Sequence, residues 1–400
     1  MTESHDQNKP NGMRNIYAMG IVSFFTDFST EMILGILPFF IVTGLGASRA
    51  ILGTIEGSAE LVSYAFRIIS GSISDKTTKR KPFIIAGYGL STISKPFFAA
   101  SSGWIDAFTV RATDRIGKGL RTPPRDALIT DSVSVADTGK AFGFHRTLDQ
   151  AGAIVGPIAA FALLQFTDIR GVFLMSLIPG AIAVLILIFV VKEAAIKKQP
   201  TSNIFANMKQ VVHKNRPFVT LLVISCIFSL GAFNFSFVLL KASDIGVDKN
   251  LIPIVYAVIN IAHTIIGIPS GFLADKIGKE KVLLIGYGVF GISSILMVVL
   301  SGNALYAYLL AGVFGIYMGI SETVQRAVIP RYVSSELRGT AFGLFSIVIG
   351  AGFFAGNVLF GFLWDNNGLA SAVVYSVILT LIAMCSMIAF LRKYPVKQIL

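Results

Sequence analysis

The sequence has few charged residues for its length. Asp, Glu, Lys and Arg make up 14% of the 400 residues, whereas about a quarter is usual in soluble domains. A soluble chain needs a charged surface to stay dispersed in water, yet 54% of this chain is hydrophobic and its mean hydropathy is +0.72. This scarcity of charge excludes an ordinary soluble protein and indicates a chain whose solvent is lipid.

Cysteine and the common catalytic motifs are also scarce. Cys226 and Cys385 lie in separate apolar runs, which excludes a disulfide framework and a cysteine metal site. The chain has no Gly-Lys-Ser/Thr phosphate loop, no His-x-x-x-His spacing and no Gly-x-Ser-x-Gly elbow. We therefore expect no enzymatic activity, no cofactor and no metal. Without a nucleotide site, the energy for any transport must come from an ion or solute gradient.

Apolar segments of about 20 residues, the length that crosses a bilayer as a helix, dominate the chain. They fall into two sets of six, separated by a polar stretch that favours a short amphipathic helix on the membrane surface. The fold class predicted is an all-α membrane protein with twelve transmembrane helices in two pseudo-symmetric six-helix bundles. The predicted divisions are an N-terminal tail (1–15), a first bundle (16–191), a linker (192–216), a second bundle (217–392) and a C-terminal tail (393–400). The spans begin near Ile16, Ala50, Pro82, Ile105, Gly139, Gly171, Pro217, Leu251, Val282, Ala304, Gly339 and Leu369.

The net charge of +12 lies mainly in alternate connections. Basic loops remain in the cytoplasm, so both termini and the linker are predicted to be cytoplasmic in a multi-pass protein of the cell inner membrane. This rule accounts for the charge without a nucleic-acid partner, which would need a soluble basic face. The first thirteen residues are polar, so we expect no removable signal peptide. The basic connections contain Lys76, Lys79, Arg80, Lys81, Lys276, Lys279, Lys281, Arg392, Lys393 and Lys397.

The two halves repeat each other at an offset of 200 residues. Gly71 and Asp75 recur as Gly271 and Asp275, and the run at 139–143 recurs at 339–343. Matches in one register across several predicted helices indicate an internal duplication. Duplicated six-helix halves place a substrate site at their interface, near the bilayer midplane.

The loops GSISDKTTKRK (71–81) and GFLADKIGKEK (271–281) resemble the signature loop of the major facilitator superfamily. The resemblance extends over residues 16–392 and implies a secondary transporter that works by alternating access. It also implies that these loops gate the transporter, although Thr78 replaces a usual glycine in the first copy. The gating residues expected from the resemblance are Gly71, Asp75, Arg80, Gly271, Asp275 and Lys279.

Two further motifs carry the same resemblance. Arg115 and Gly119, in the fourth predicted span, match the family's Arg-x-x-x-Gly pattern. GAIVGP (152–157), in the fifth predicted span, resembles the family's Gly-x-x-x-Gly-Pro motif. We expect Gly152, Gly156 and Pro157 to serve helix packing, since small residues four apart allow close approach. In the family the second motif is commoner among proton antiporters, but tight packing alone explains it equally well.

Charged residues within the spans are candidates for function, because charge in lipid is costly. The candidates for proton coupling are Asp27, Glu31, Glu60 and Asp149. Static ion pairing, of Glu60 with Arg67 or of Glu322 with Arg326, is the alternative. The candidates for the substrate cavity are Lys95, Arg115, Lys118, Phe233, Asn234, Glu322 and Arg326.

The leading hypothesis is a monomeric, proton-coupled transporter of a small anionic solute, such as an organic acid, a phosphate ester or a carboxylate-type metal chelate. Arg115, Lys95 and Arg326 would give its cavity a positive potential. The alternative is a proton-antiport exporter of drugs or cations, with Asp27, Glu31 or Glu322 as its counter-charge. A channel or a non-transporting receptor is a weaker alternative, because the sequence has neither a repeated filter nor a large soluble domain.

Overall fold

The computed structural model describes residues 12–77, 79–134, 137–193, 204–334 and 337–395. Within these ranges the chain forms helices joined by turns, with no β-strand. The α-helices, in chain order, are α1 (Gly12–Leu34), α2 (Leu37–Phe39), α3 (Arg49–Thr77), α4 (Lys81–Ser94), α5 (Trp104–Ser132), α6 (Thr138–Leu163), α7 (Ile169–Met175), α8 (Leu177–Phe189), α9 (Ile204–Lys214), α10 (Arg216–Gly231), α11 (Phe235–Asp244), α12 (Ile252–Ile277), α13 (Lys279–Val299), α14 (Leu305–Ala327), α15 (Arg338–Asn367) and α16 (Leu369–Lys393).

Eight helical segments of the described chain are long and apolar enough to cross a membrane. The other four predicted spans correspond to the helical stretches 49–77, 81–100, 104–132 and 138–163. These stretches contain the candidates Glu60, Lys95, Arg115, Lys118 and Asp149. The all-α membrane architecture is confirmed, and the number of twelve spans stays a prediction. The eight segments are Gly12–Gly44, Ile169–Phe189, Arg216–Asp244, Lys249–Ile277, Lys279–Val299, Leu305–Arg331, Arg338–Asn367 and Leu369–Lys393.

The chain forms two compact units. Unit 1 takes the described residues within 1–36 and 62–201, and unit 2 takes those within 37–61 and 202–400. The segment 37–61 thus groups with the second half of the chain rather than with the predicted first bundle. The termini and the middle of the predicted linker, at 1–11, 194–203 and 396–400, lie outside the described residues.

Small residues explain why the segment 37–61 packs within unit 2. A Cβ atom on Gly57 would lie 2.8 Å from the Cα of Phe354 on α15, so only glycine permits this approach of the two helices. Arg49, at the start of α3, lies 3.7 Å from Asp244 and 3.5 Å from Asp365. The contacts within unit 2 are therefore both steric and electrostatic.

Unit 1 is held together by close packing of α1 on α6 and of α4 on α5. Gly87 on α4 and Gly117 on α5 face each other, and a Cβ on either would lie 2.6 Å from the carbonyl oxygen of the other. Contact at this distance brings backbones together, as is usual where small residues line a helix interface in lipid. The same packing brings the charged residues of α1, α5 and α6 into one region.

Unit 2 has an aromatic core. Phe233 is 1% exposed, and its ring centroid lies 4.4 Å from that of Phe360, 5.0 Å from that of Phe290 and 5.7 Å from that of Phe314. Rings at such distances in tilted or offset arrangements attract one another beyond the burial of their area. The core joins the short helix break at 232–234 to α13, α14 and α15.

Candidate functional site

A carboxyl pair joins α1 to α6 in unit 1. Asp27 and Asp149 share a side-chain hydrogen bond, which requires a proton on one of the two groups. The Ser23 hydroxyl donates to Asp149 Oδ1 at 2.5 Å, and Arg146 Nη1 donates to Asp149 Oδ2 at 3.1 Å. Both donors favour the charged form of Asp149.

Two of the predicted packing glycines bring this pair together. A Cβ on Gly152 would collide with the backbone of Phe24, and a Cβ on Gly156 would lie 2.9 Å from the Cβ of Glu31. Pro157 follows within the same buried stretch of α6. Glu31 lies one helical turn after Asp27, and both Glu31 and Lys118 are close enough to interact electrostatically with Asp27. Close helix packing and the carboxyl pair thus depend on the same residues.

A second group of charges lies between α1, α4 and α5 of unit 1. Asp114 is 3% exposed, accepts a hydrogen bond from Ser91 and lies 3.5 Å from Arg111 Nη1 and 3.8 Å from Arg115 Nε. Lys95 is 2% exposed and donates to the Ser29 hydroxyl at 2.8 Å, as well as to Thr30. Three buried cations thus surround one buried carboxylate. Among these four groups the cations exceed the carboxylate by two charges, and Glu31 on α1 also interacts electrostatically with Lys95.

The candidates in unit 2 have partners of a different kind. Glu322 Oε2 lies 2.8 Å from His263 Nε2, and its pairing with Arg326 stays a prediction. The side chain of Arg326 lies outside the part of the chain that the structure describes. Glu60 is half-buried on α3, in the segment that groups with unit 2.

Phe233 and Asn234 have structural roles within unit 2. Phe233 belongs to the aromatic core described above. The Asn234 side chain accepts from the Ser236 backbone N–H at 2.9 Å and so caps α11. The backbone N–H of Asn234 donates to Asn357 Oδ1 at 2.8 Å. These contacts tie both residues to the packing of unit 2, and their place in a substrate cavity stays a prediction.

The two loops of the duplicated motif adopt related arrangements. Gly71 and Gly271 lie near the ends of α3 and α12. The side chain of Asp75 lies outside the described residues, whereas Asp275 is exposed and Lys279 begins α13. Gly278 has φ = +103°, a conformation that favours glycine. Its counterpart Thr78 also lies outside the described residues.

Each loop is held to its own unit by an ion pair, and the two pairs have opposite polarity. In unit 1, Arg80 Nε lies 3.7 Å from Asp131 Oδ2, and Arg80 Nη1 donates to Ser74 at 2.7 Å. In unit 2, the equivalent pair is Glu280 with Arg331, at 3.0 Å. Both positions of the pair are related by the offset of 200 residues, yet the charges are exchanged. Glu280 is 0% exposed and also accepts from the Tyr332 hydroxyl.

These loops and helices match a known family along the chain. The family model of the Major Facilitator Superfamily matches residues 19–240 and 219–399. The chain belongs to the Major Facilitator Superfamily. An MFS-type transporter of Methanocaldococcus jannaschii is 33% identical over 371 residues, which cover 90% of this chain and 91% of that protein. The multidrug resistance protein MdtG of Escherichia fergusonii is 24% identical over 299 residues, 71% of this chain and 72% of that protein.

Solved structures of other transporters have the same fold. A variant of the nucleoside transporter NupG has a TM-score of 0.80 at 15% identity, with 95% of this chain and 99% of that chain covered. A POT family transporter in complex with 5-aminolevulinic acid has a TM-score of 0.79 at 14% identity, with 96% of each chain covered. At this level of identity the likeness shows the fold alone. The family match, the relative in M. jannaschii and the apolar helices together show a membrane-embedded, multi-pass transporter.

Sequence reasoning missed several partners in this superfamily member. Asp114 was not among the candidates, although an acidic residue three positions from Arg111 and next to Arg115 is a local signal for ion pairing on a helix. Ser29 and Thr30, which hold the Lys95 ammonium, gave no such signal, because the contact joins residues more than 60 positions apart. The hydroxyls become recognisable only once α1 and α4 are packed together.

Proposed function

We infer that this transporter couples the movement of an anionic solute across the cell inner membrane to protons, by alternating access. The observation that carries the coupling is the hydrogen bond between Asp27 and Asp149. A carboxyl pair that binds one proton can take up or release that proton as its surroundings change. In a cluster where every charge is paired, a change of protonation would leave an unpaired charge, so it costs more free energy.

The Ser23 and Arg146 contacts support different roles for the two carboxyl groups of the pair. They favour the charged form of Asp149, which leaves Asp27 as the group that takes up and releases the proton. Loss of that proton would place two carboxylates in contact, and their repulsion would favour separation of the side chains. Proton binding and helix position would thereby be linked, which is what coupling requires.

The anionic substrate is supported by the buried cations of unit 1. Lys95, Arg111 and Arg115 exceed Asp114 by two charges, and Lys118 lies near Asp27. A buried excess of positive charge attracts an anion strongly and repels a cation. Within this proposal, Lys95, Arg115 and Lys118 bind the substrate, and Asp27 with Asp149 carries the proton.

A proton-antiport exporter of drugs or cations is the second candidate, because MdtG, a multidrug resistance protein, is similar over 71% of the chain. In that case a carboxylate, such as Asp27, would have to bind the cation directly. The buried cations weigh against this, since a cationic drug would meet their repulsion.

The proton site is tested without knowledge of the substrate. Infrared difference spectra of the purified protein between acid and alkaline pH should show one protonated carboxyl band that Asp27→Asn removes. Glu31→Gln, one helical turn away on the same helix, is the matched control and should retain the band. A spectrum of Asp27→Asn identical to that of the parent protein would contradict the assignment of the proton.

The substrate class is tested by thermal unfolding in the presence of pooled compounds. Organic acids and phosphate esters should raise the unfolding temperature, because ligands that bind the native state stabilise it by mass action. Arg115→Gln and Lys95→Gln should abolish that rise. Stabilisation by lipophilic cations, with no response to anions, would refute the anionic substrate and favour the exporter.

A further inference from the structure

A groove opens on the surface of unit 1, where α4 ends and α5 begins. Its volume is about 460 Å³, and its walls are mainly apolar, with Leu90, Ile93, Phe97 and Val110 among them. Ile93 is 63% exposed and Phe97 58% exposed. In a membrane protein, large apolar side chains this exposed contact lipid and not water, so the groove faces the acyl chains of the bilayer.

The mouth of the groove lies at the level of the lipid headgroups. Trp104, 40% exposed, is the first residue of α5, and tryptophan concentrates at membrane interfaces. Asp106 lines the groove beside it, and Thr109 lies one turn further into the helix. The groove therefore runs from a polar mouth at the interface to an apolar interior, as a phospholipid does.

Two opposite charges are held at fixed positions beside this mouth. Asp106 Oδ2 accepts from the Ser102 N–H at 2.9 Å, and Arg170 Nη2 donates to the Ser101 carbonyl oxygen at 3.0 Å. That N–H and that carbonyl belong to one peptide bond, so the carboxylate and the guanidinium flank a single peptide unit. Both residues are exposed, and their charged groups can meet a headgroup.

We propose that this groove binds one acyl chain of an aminophospholipid from the adjacent leaflet, with the ammonium group beside Asp106 and the phosphate beside Arg170. The charges select the class of lipid. An acidic lipid without an amine would bring only negative charge to Asp106, and a choline headgroup has no N–H to donate. The site is separate from the charged residues of the proposed transport function and does not depend on that function.

The test uses the emission of Trp104 as its readout. The chain has 2 tryptophans, and Trp364→Phe leaves Trp104 as the reporter at the mouth. This variant is reconstituted in phosphatidylcholine with increasing fractions of brominated phosphatidylethanolamine or brominated phosphatidylglycerol, since bromine quenches nearby tryptophan. Phosphatidylethanolamine should bind about two- to fivefold more tightly than phosphatidylcholine, the preference expected of one exposed ion pair.

Two further substitutions in the Trp364→Phe background separate the headgroup from the chain. Asp106→Asn should remove the preference for phosphatidylethanolamine, and Val110→Phe should reduce quenching by filling the groove. Ile265→Phe, at a lipid-exposed apolar position of unit 2 (67% exposed), is the control and should change neither. Quenching that follows the bulk fraction of each lipid in the parent protein would overturn the proposal, and so would a preference that survives Asp106→Asn.

Discussion

Glu280 is the residue whose replacement should destabilise the protein most clearly. Its side chain is 0% exposed, lies 3.0 Å from Arg331 and accepts a hydrogen bond from Tyr332. Removing one partner of a buried ion pair costs about 3 to 5 kcal/mol. The Arg331 side chain is 32% exposed, so water can still reach the cation left behind. We therefore expect Glu280→Ala to cost about 3 kcal/mol, the lower end of that range.

Graded substitutions would separate the charge from the hydrogen bond. Glu280→Gln keeps an acceptor for Tyr332 and should cost less than Glu280→Ala, and Tyr332→Phe should cost about 1 kcal/mol. The assay is unfolding of the purified protein in detergent micelles by titration with a denaturing detergent. Asp275→Ala removes an exposed carboxylate five residues earlier in the same loop and is the matched control. The reasoning fails if Glu280→Ala and Asp275→Ala unfold at the same midpoint.

The same unfolding assay checks three other expectations. Gly152→Ala should cost about 1 to 3 kcal/mol by forcing α1 away from α6. Gly143, on α6 like Gly152, has open space around it, so Gly143→Ala should be neutral or stabilising. Equal effects of the two substitutions would refute the packing argument. Tyr375→Phe should cost about 1 kcal/mol, since its hydroxyl donates to the Leu230 carbonyl at 2.7 Å, and an unchanged midpoint would contradict this. Arg49→Lys should cost under about 1 kcal/mol, because the ammonium keeps the charge but cannot reach two carboxylates as the guanidinium does. This loss of stability should shrink in high salt. A loss of stability independent of salt would argue against an ionic cause.

Helix positions could be predicted well from the sequence, because long apolar runs bounded by polar residues leave few alternatives. The spans predicted to begin near Ala50, Ile105 and Leu369 correspond to helices that begin at Arg49, Trp104 and Leu369. The amphipathic helix expected in the linker corresponds to α9, of which residues 204–214 are described. Hydrophobicity and length act locally, so they can be read without knowledge of the packing.

Side-chain partners were harder to predict, because they depend on which faces of different helices meet. The contact of Glu322 with His263 on α12 joins residues 59 positions apart, and nothing in the local sequence indicates it. The capping of α11 by the Asn234 side chain was not predicted from its polarity. Likewise, nothing local indicates that residues 37–61 group with the second half. Such features arise from tertiary contacts between distant parts of the chain.

The exchanged charges of the two loop ion pairs have a consequence for how a duplicated chain folds. Two halves of common origin carry related sequences at equivalent positions, and exchange of equivalent elements is a characteristic error of repeated sequences. Here a wrongly docked loop would bring Arg80 to Arg331, or Glu280 to Asp131. Each mismatch sets like charges against one another, which costs several kcal/mol where they are desolvated. Because of the inverted polarity, each loop forms its ion pair only within its own half, which disfavours the swapped arrangement during folding.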